Sequence, residues 1–245
     1  MKNIAILFFI ISQISYSQSD SLKRTKISIG VNASIGYSFR NLKQNKNSSD
    51  NFIPGIIKLR NGNEVKDVSQ TLGITFNYYF KNKLSLGFDF NYNTFNYKTK
   101  ITYPNITTFD PTIPLKWASY FQYATLEIPI YIGYNYSIKK IDFFANIGIG
   151  SHYLIKANTI DQSWYADGSV VTKTFDKTYS NNFNHNRNDF FWSFNSKIGI
   201  AYNPIKLLCI KLSPELKYGI TAINTETIQT KLFSYGINLS VSLKL

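Results

Sequence analysis

The chain has 245 residues, 44% hydrophobic, 16% aromatic and only 17% charged, with a formal charge of +13. With 18 Tyr and 19 Phe it is too apolar for a disordered chain. Its single Cys excludes a disulfide framework and a Cys-based zinc site, and its two His leave little room for a metal enzyme, so no metal or cofactor is expected.

Residues 1–17 read as a secretory signal peptide. Lys2 supplies the positive start, residues 4–11 a short apolar run, and Ser15-Tyr16-Ser17 the small residues of a cleavage site. The run is far shorter than the ~20 apolar residues of a membrane-spanning helix. An exported chain whose cations sit in loops has no nucleic-acid role.

From there apolar and polar residues alternate, the pattern of half-buried strands. The first strand shows Ile27, Ile29, Val31, Ala33, Ile35, Tyr37 and Phe39 on one face, and Ser, Gly and Asn on the other. The second carries Leu72, Ile74, Phe76, Tyr78 and Phe80. The third sets Leu84, Leu86, Phe88, Phe90 and Tyr92 against Ser85, Gly87, Asp89, Asn91 and Asn93. The fourth sets Leu126, Ile128, Ile130, Ile132, Tyr134 and Tyr136 against Glu127, Tyr131 and Gly133. The fifth sets Phe143, Ala145, Ile147, Ile149 and Tyr153 against Asn146, Gly148 and His152. The sixth opposes Trp192, Phe194, Ile198, Ile200 and Tyr202 to Lys197. The seventh opposes Leu208, Ile210, Leu212 and Leu216 to Lys211, Glu215 and Lys217, and the eighth runs from Phe233 to Leu245. These strands reach roughly 10 residues or more, against ~5–6 in soluble proteins. No convincing amphipathic helix is expected.

Long alternating strands close in two ways. A soluble sandwich or lipocalin-like ligand-binding barrel puts the apolar face inside; a transmembrane barrel puts it in lipid and the polar face in the lumen. Three features select the second. The polar face carries Asp89, Glu127, Lys197, Lys211, Glu215 and Lys217, read as a charge-paired network filling the lumen. Aromatic residues collect at strand ends, as in the girdles of membrane barrels. Connections alternate between a few residues and long polar segments at about residues 40–67, 98–116, 155–189 and 219–230. The fold expected is an all-β, eight-stranded, antiparallel up-and-down transmembrane β-barrel. Its periplasmic turns are short and its extracellular loops long; residues 18–25 form a short N-terminal segment and residues 26–245 the barrel. At eight strands the interior is only wide enough for side chains.

The segment Thr125-Leu126-Glu127-Ile128-Pro129-Ile130-Tyr131-Ile132-Gly133-Tyr134 resembles the Leu-Glu-Ile-Pro-Leu strand motif of the PorT-like outer-membrane β-barrel family of Bacteroidetes. Phe144-Ala145-Asn146-Ile147-Gly148-Ile149-Gly150 and Pro214-Glu215-Leu216-Lys217-Tyr218-Gly219-Ile220 resemble that family's next and penultimate strands. The resemblance implies an integral outer-membrane barrel, and its namesake is implicated in protein secretion across that membrane. One departure is the C-terminal residue, Leu245, where many such barrels end on an aromatic ring. Proline inside a strand normally marks an edge or a bulge. A closed barrel has no edge, so a bulge or broken pairing is expected at Pro129, aiming Glu127 into the lumen.

Function has fewer handles. A lipid A- or phospholipid-modifying barrel would need a nucleophile, a base and an orienting carboxylate. Ser151-His152 and His185, Arg187 and Asp189 are the candidates, with no spacing that specifies a triad. The loops favour a non-enzymatic interaction role. Arg40, Lys43, Lys46, Lys58 and Arg60 make the first loop basic, and Trp164 and Tyr165 open an aromatic third loop. Outer-membrane lipid, lipopolysaccharide phosphates and an envelope or secretion protein are the partners expected.

Overall fold

A computed structural model describes residues 27–45, 52–80, 83–104, 112–176, 188–224 and 227–245. The expected signal peptide and the segment 18–25 lie outside these residues. The elements in chain order are β1 (Ile27–Gln44), α1 (Ile53–Asn63), β2 (Glu64–Tyr79), β3 (Leu84–Thr99), β4 (Lys116–Ile138), β5 (Ile141–Trp164), β6 (Val170–Asp176), β7 (Phe190–Tyr202), β8 (Leu208–Gly219) and β9 (Ile228–Lys244). Every pairing is antiparallel, in the order β4-β3-β2-β1-β9-β8-β7-β5, and β4 pairs again with β5. Eight strands therefore close into an up-and-down barrel, and β6 pairs only with the upper part of β5.

Period two sets the two surfaces. Along β3, Leu84, Leu86, Phe88, Phe90 and Tyr92 are exposed while Ser85, Asp89, Asn91 and Asn93 are buried. The outer wall leaves Ile35 61%, Ile130 57%, Ile198 65% and Ile237 59% exposed. That is the inverted arrangement of a transmembrane barrel, and it rules out the soluble lipocalin-like alternative, whose apolar face would be inside. No helix among the described residues is long and apolar enough to cross a membrane; the strands cross it.

Aromatic rings border this apolar wall. At the end nearer the long connections Tyr37 meets Tyr235 at 6.1 Å, Phe39 meets Phe233 at 4.5 Å, and Tyr153 meets Phe190 at 5.0 Å between centroids. At the turn end Tyr78 packs edge-on against Phe80 at 4.9 Å. The seam where β9 returns to β1 is tight. Gly36 sits opposite Gly236, and a Cβ on Gly36 would fall 2.0 Å from the Tyr235 carbonyl oxygen.

The long connections depart from expectation. β4 and β5 run for 23 and 24 residues, paired up to Lys116 opposite Trp164, whereas a tilted strand crosses a bilayer in roughly 9–11. Beyond Tyr120, the last β4 residue paired with β3, the end of β4 joins the end of β5 and β6 in a three-stranded flap above the barrel. What reads as a structureless third loop thus contains a strand. The first long connection holds α1, although no helix was expected, and β1 continues through Arg40 and Lys43 to Gln44. Antiparallel barrels of this closure resist SDS. The unboiled protein is expected to run faster than the boiled one on a gel, and identical mobilities would count against a closed barrel.

Candidate functional site: the filled lumen and the loop end

The lumen is built in layers. Near the turns Phe144, Ala201 and Cys209 form a small apolar plug. Towards the loops Phe95, Tyr97, Phe191, Ile223 and Leu232 form a second, with Phe121 and Tyr123 against it. The polar layer lies between them, and Asp89, Glu127, Lys197, Lys211, Glu215 and Lys217 all point into the interior and are buried.

Glu127 is the hub. Its Oε2 accepts from Lys217 Nζ at 2.7 Å, Asn93 Nδ2 at 2.9 Å and Asn91 Nδ2 at 3.4 Å, and its Oε1 from Asn195 Nδ2 at 2.7 Å. Lys217 Nζ also donates to Asn93 Oδ1 at 2.7 Å and to Thr71 Oγ1 at 3.3 Å. Asn32 Nδ2 donates to Asn91 Oδ1 at 3.2 Å, which brings β1 into the same network. Gly150 makes room for this hub, because a Cβ there would lie 2.6 Å from Glu127 Oε1 and 2.7 Å from Asn195 Nδ2. A bar of ion pairs continues towards the turns. Lys217 and Lys197 stand 3.8 Å and 3.4 Å from Glu215 Oε1, and Lys197 reaches Asp89 Oδ2 at 2.9 Å. Carboxylates held by several donors in this way offset the cost of burial.

Of the two outcomes expected at Pro129, the structure has the broken pairing and not the bulge. β3 and β4 keep one register from Phe88 opposite Ile130 to Asn91 opposite Glu127, and Pro129 lies squarely across from Gly150 on β5. Only the rungs between those two β3–β4 pairs are missing, so the lost N–H donor interrupts the ladder without shifting it. The register shift lies instead in the β4–β5 pairing at Ala124/Thr125, where β5 has one extra residue between Leu154 and Lys156.

His152 meets a serine, but not Ser151, which is on the outer face opposite Trp192. His152 Nε2 lies 2.8 Å from Ser193 Oγ and 3.3 Å from Glu127 Oε1, and its Nδ1 lies 3.3 Å from Thr125 Oγ1. Ser193 Oγ in turn donates to Asn195 Oδ1 at 2.9 Å. With its hydroxyl proton committed to Asn195, Ser193 is placed to accept from His152, the reverse of nucleophile activation. The carboxylate and the serine also share one ring nitrogen, where a catalytic triad uses both. The ring is stacked on Phe191 at 4.4 Å and fully buried. Ser193 and Asn195 were legible only as polar-face positions of their strand; nothing in the sequence joins them to His152. His185 and Arg187 lie outside the described residues.

Among the described residues, cavities of about 10 Å³ and about 20 Å³ touch the polar layer, each room for about one water. Neither is a continuous pore. Among the described residues no three His, Cys, Asp or Glu side chains gather as a metal site would require.

No family model matches the chain, and no curated protein matches it. Solved structures overlap it at low identity. Neisserial surface protein A is 10% identical over 89% of this chain and 97% of its own, with a TM-score of 0.41. The outer membrane protein OprG from Pseudomonas aeruginosa is 9% identical over 91% and 98%, at 0.44. Ail of Yersinia pestis, solved with the heparin analogue sucrose octasulfate, is 10% identical over 88% and 99%, at 0.31. The barrel assignment stands on the chain's own pairing and burial.

At the loop end the expected interaction residues divide. Arg40 does not belong to a loop. It faces the barrel mouth from β1, donates through Nε to Glu64 Oε1 at 2.6 Å with Nη2 on the same oxygen, and lies 4.8 Å and 4.9 Å over the rings of Tyr97 and Phe121. Lys43, at the end of β1, and Lys58 and Arg60, on α1, are exposed. Lys46 lies outside the described residues. Trp164 ends β5 with Lys116 Nζ 5.2 Å over its ring, and Tyr165 begins the turn to β6, accepting from Gly168 N at 3.2 Å. Missed from sequence were exposed apolar residues of the flap and helix, among them Trp117, Val170, Phe52 and Leu59.

Proposed function

We propose that this is an integral outer-membrane barrel, non-enzymatic, that works through its loop end by binding a protein partner. The observation that carries this reading is the contrast between the two possible working surfaces. The lumen is filled and capped by apolar plugs at both ends. The flap and α1, beyond the membrane-facing wall, expose Trp117, Val170, Phe175, Phe52, Ile56 and Leu59. Large apolar groups exposed outside lipid are candidate contacts for a partner. The outer-membrane location is supported by the inverted barrel, the sorting of short and long connections, and the signal-peptide pattern of residues 1–17. The PorT-like motifs around Glu127 and Glu215 favour an accessory role in secretion or envelope assembly.

Lipopolysaccharide is a second reading, favoured by exposed Lys43, Lys58 and Arg60, whose charges suit phosphate. A photo-crosslinking residue at Phe175 or Val170 distinguishes them in intact cells. A protein-sized adduct at one or both positions, absent when the crosslinking residue stands at Ile237 on the membrane-facing wall, is the expected result. A ladder of lipopolysaccharide adducts would favour the second reading. No adduct at either position, with the barrel still heat-modifiable, would overturn both.

A further inference from the structure

The turn end of the barrel gathers lysines on three hairpin ends that touch. Lys83 precedes β3, Lys139 and Lys140 are the two residues between β4 and β5, and Lys206 lies between β7 and β8. Backbone hydrogen bonds hold these ends side by side: Asn135 N donates to the Lys83 carbonyl at 2.8 Å, and Asn203 N to the Lys140 carbonyl at 2.8 Å. All four lysines are exposed. The only carboxylate side chain among residues 83–84, 134–143 and 202–208 is Asp142, and it is engaged elsewhere. Asn203 Nδ2 donates to it at 2.8 Å and Lys244 Nζ lies 4.0 Å from it. The rim is therefore strongly positive.

Two observations say what that charge is for. Lys83 and Lys139 have φ of 62° and 57°, in the left-handed region that Gly, Asn and Asp occupy most easily. Lysine stands at both positions against the local backbone preference, a cost that a purely structural turn has no reason to carry. Exposed apolar side chains also flank the lysines: Leu84 follows Lys83, Ile138 and Ile141 enclose Lys139 and Lys140, and Ile205 precedes Lys206, all 45–60% exposed. A turn surrounded by water gains nothing from such groups, whereas at a bilayer surface they meet acyl chains while the ammonium groups reach the headgroups. Lys83 Nζ lies 4.6 Å over the ring of Tyr136, in the aromatic border, which is that height. Charge alone would suit any polyanion; charge alternating with apolar groups at the edge of the membrane-facing wall selects a lipid.

We propose that this rim binds anionic phospholipids, their phosphates paired with Lys83, Lys139, Lys140 and Lys206 and their chains lying along Tyr136, Ile138 and Ile141. The leaflet is the periplasmic one on the orientation proposed above, with short turns inside. The site does not depend on which partner takes the loop end.

Native mass spectrometry of the refolded barrel in detergent, mixed with equal amounts of phosphatidylglycerol and phosphatidylcholine, reads the preference. The wild type is expected to retain phosphatidylglycerol over phosphatidylcholine. Lys83→Asn combined with Lys139→Asn should cut that preference about fivefold or more, the worth of one lysine at an anionic surface. The same pair should leave the Tm unchanged or higher, because asparagine suits both left-handed positions. Lys43→Gln with Lys58→Gln, at the loop end, should leave the preference as it is. A wild type that binds the two lipids equally overturns the proposal, and so does an undiminished preference in the asparagine pair. Displacement of the lipid by equimolar glycerol phosphate, which has the headgroup charge without the chains, overturns it as well. The heat-dependent gel shift shows whether the pair has folded; if it has not, the wild-type competition decides alone.

Discussion

Glu127→Ala is expected to cost about 3–5 kcal/mol of barrel stability, the range for removing one partner of a buried charge pair. The magnitude follows from what is stranded. Lys217 loses its 2.7 Å acceptor, and Asn93 and Asn195 lose theirs at 2.9 Å and 2.7 Å, in an interior where Glu127 is 0% exposed. Because the hub collects groups from β1, β2, β3, β4, β5, β7 and β8, the loss is felt round the ring rather than at one seam. Glu127→Gln keeps the shape and one acceptor while removing the charge, so its cost should be smaller. Lys217→Met in the Glu127→Ala background should recover part of the loss, since it removes the stranded cation. Urea unfolding of the refolded barrel, followed by tryptophan fluorescence and by the heat-dependent gel shift, measures all three. A Glu127→Ala barrel within about 1 kcal/mol of wild type would mean that water reaches the lumen and the network is not buried in solution.

The faces of the barrel strands were legible because alternation is a local property. One residue of slip would turn Leu84, Leu86, Phe88 and Phe90 of β3 inward, so the apolar pattern alone settles on which side Asp89, Asn91 and Asn93 meet the lumen. The upper parts of β4 and β5 and the whole of β6 were not legible, because above the membrane the flap has no single apolar face. Trp117, Ser163 and Val171 stand side by side on adjacent strands, and the next row is Lys116, Trp164 and Val170. Helix α1 was hidden by its composition: Pro54, Gly55, Asn61, Gly62 and Asn63 read as loop residues, and only Ile53 is buried among its apolar side chains. Arg40 was misplaced for a related reason. β1 continues beyond the lipid-facing wall, and Arg40 turns inward to Glu64 at a point where alternation no longer signals a strand.

The candidate site was half legible. Period two places each charged residue on the inner wall, but which charges meet depends on the register of strands far apart in sequence. Lys197 finds Asp89 across 108 positions, and Lys217 finds Glu127 across 90. His152 and Ser193 come together across 41, by way of the β5–β7 pairing. Pro129 shows the opposite limit. A missing donor costs the ladder rungs on one side, and the sequence carries no information on whether the neighbours absorb that loss in register or by a bulge.

Arginine scanned along the outer face of β4 measures the membrane directly. Ile130 is 57% exposed, halfway along an outer row that ends in Tyr134 and Tyr136 near the turns, with Phe88 and Ile149 beside it on the neighbouring strands. Ile130→Arg is expected to destabilise the barrel by about 2–4 kcal/mol in lipid vesicles, as for a cation held at the bilayer midplane. Tyr136→Arg, at the aromatic border where a long side chain reaches the headgroups, should cost only about 0–1 kcal/mol from depth. The gradient between the two is what identifies lipid as the solvent of this wall. In a barrel whose outer face met water, both positions would be exposed and both substitutions would fall within about ±0.5 kcal/mol. A flat profile would therefore contradict the membrane-spanning reading, while a profile peaking at Ile132 or Ile128 instead would keep it and shift the bilayer centre by one outward-facing residue.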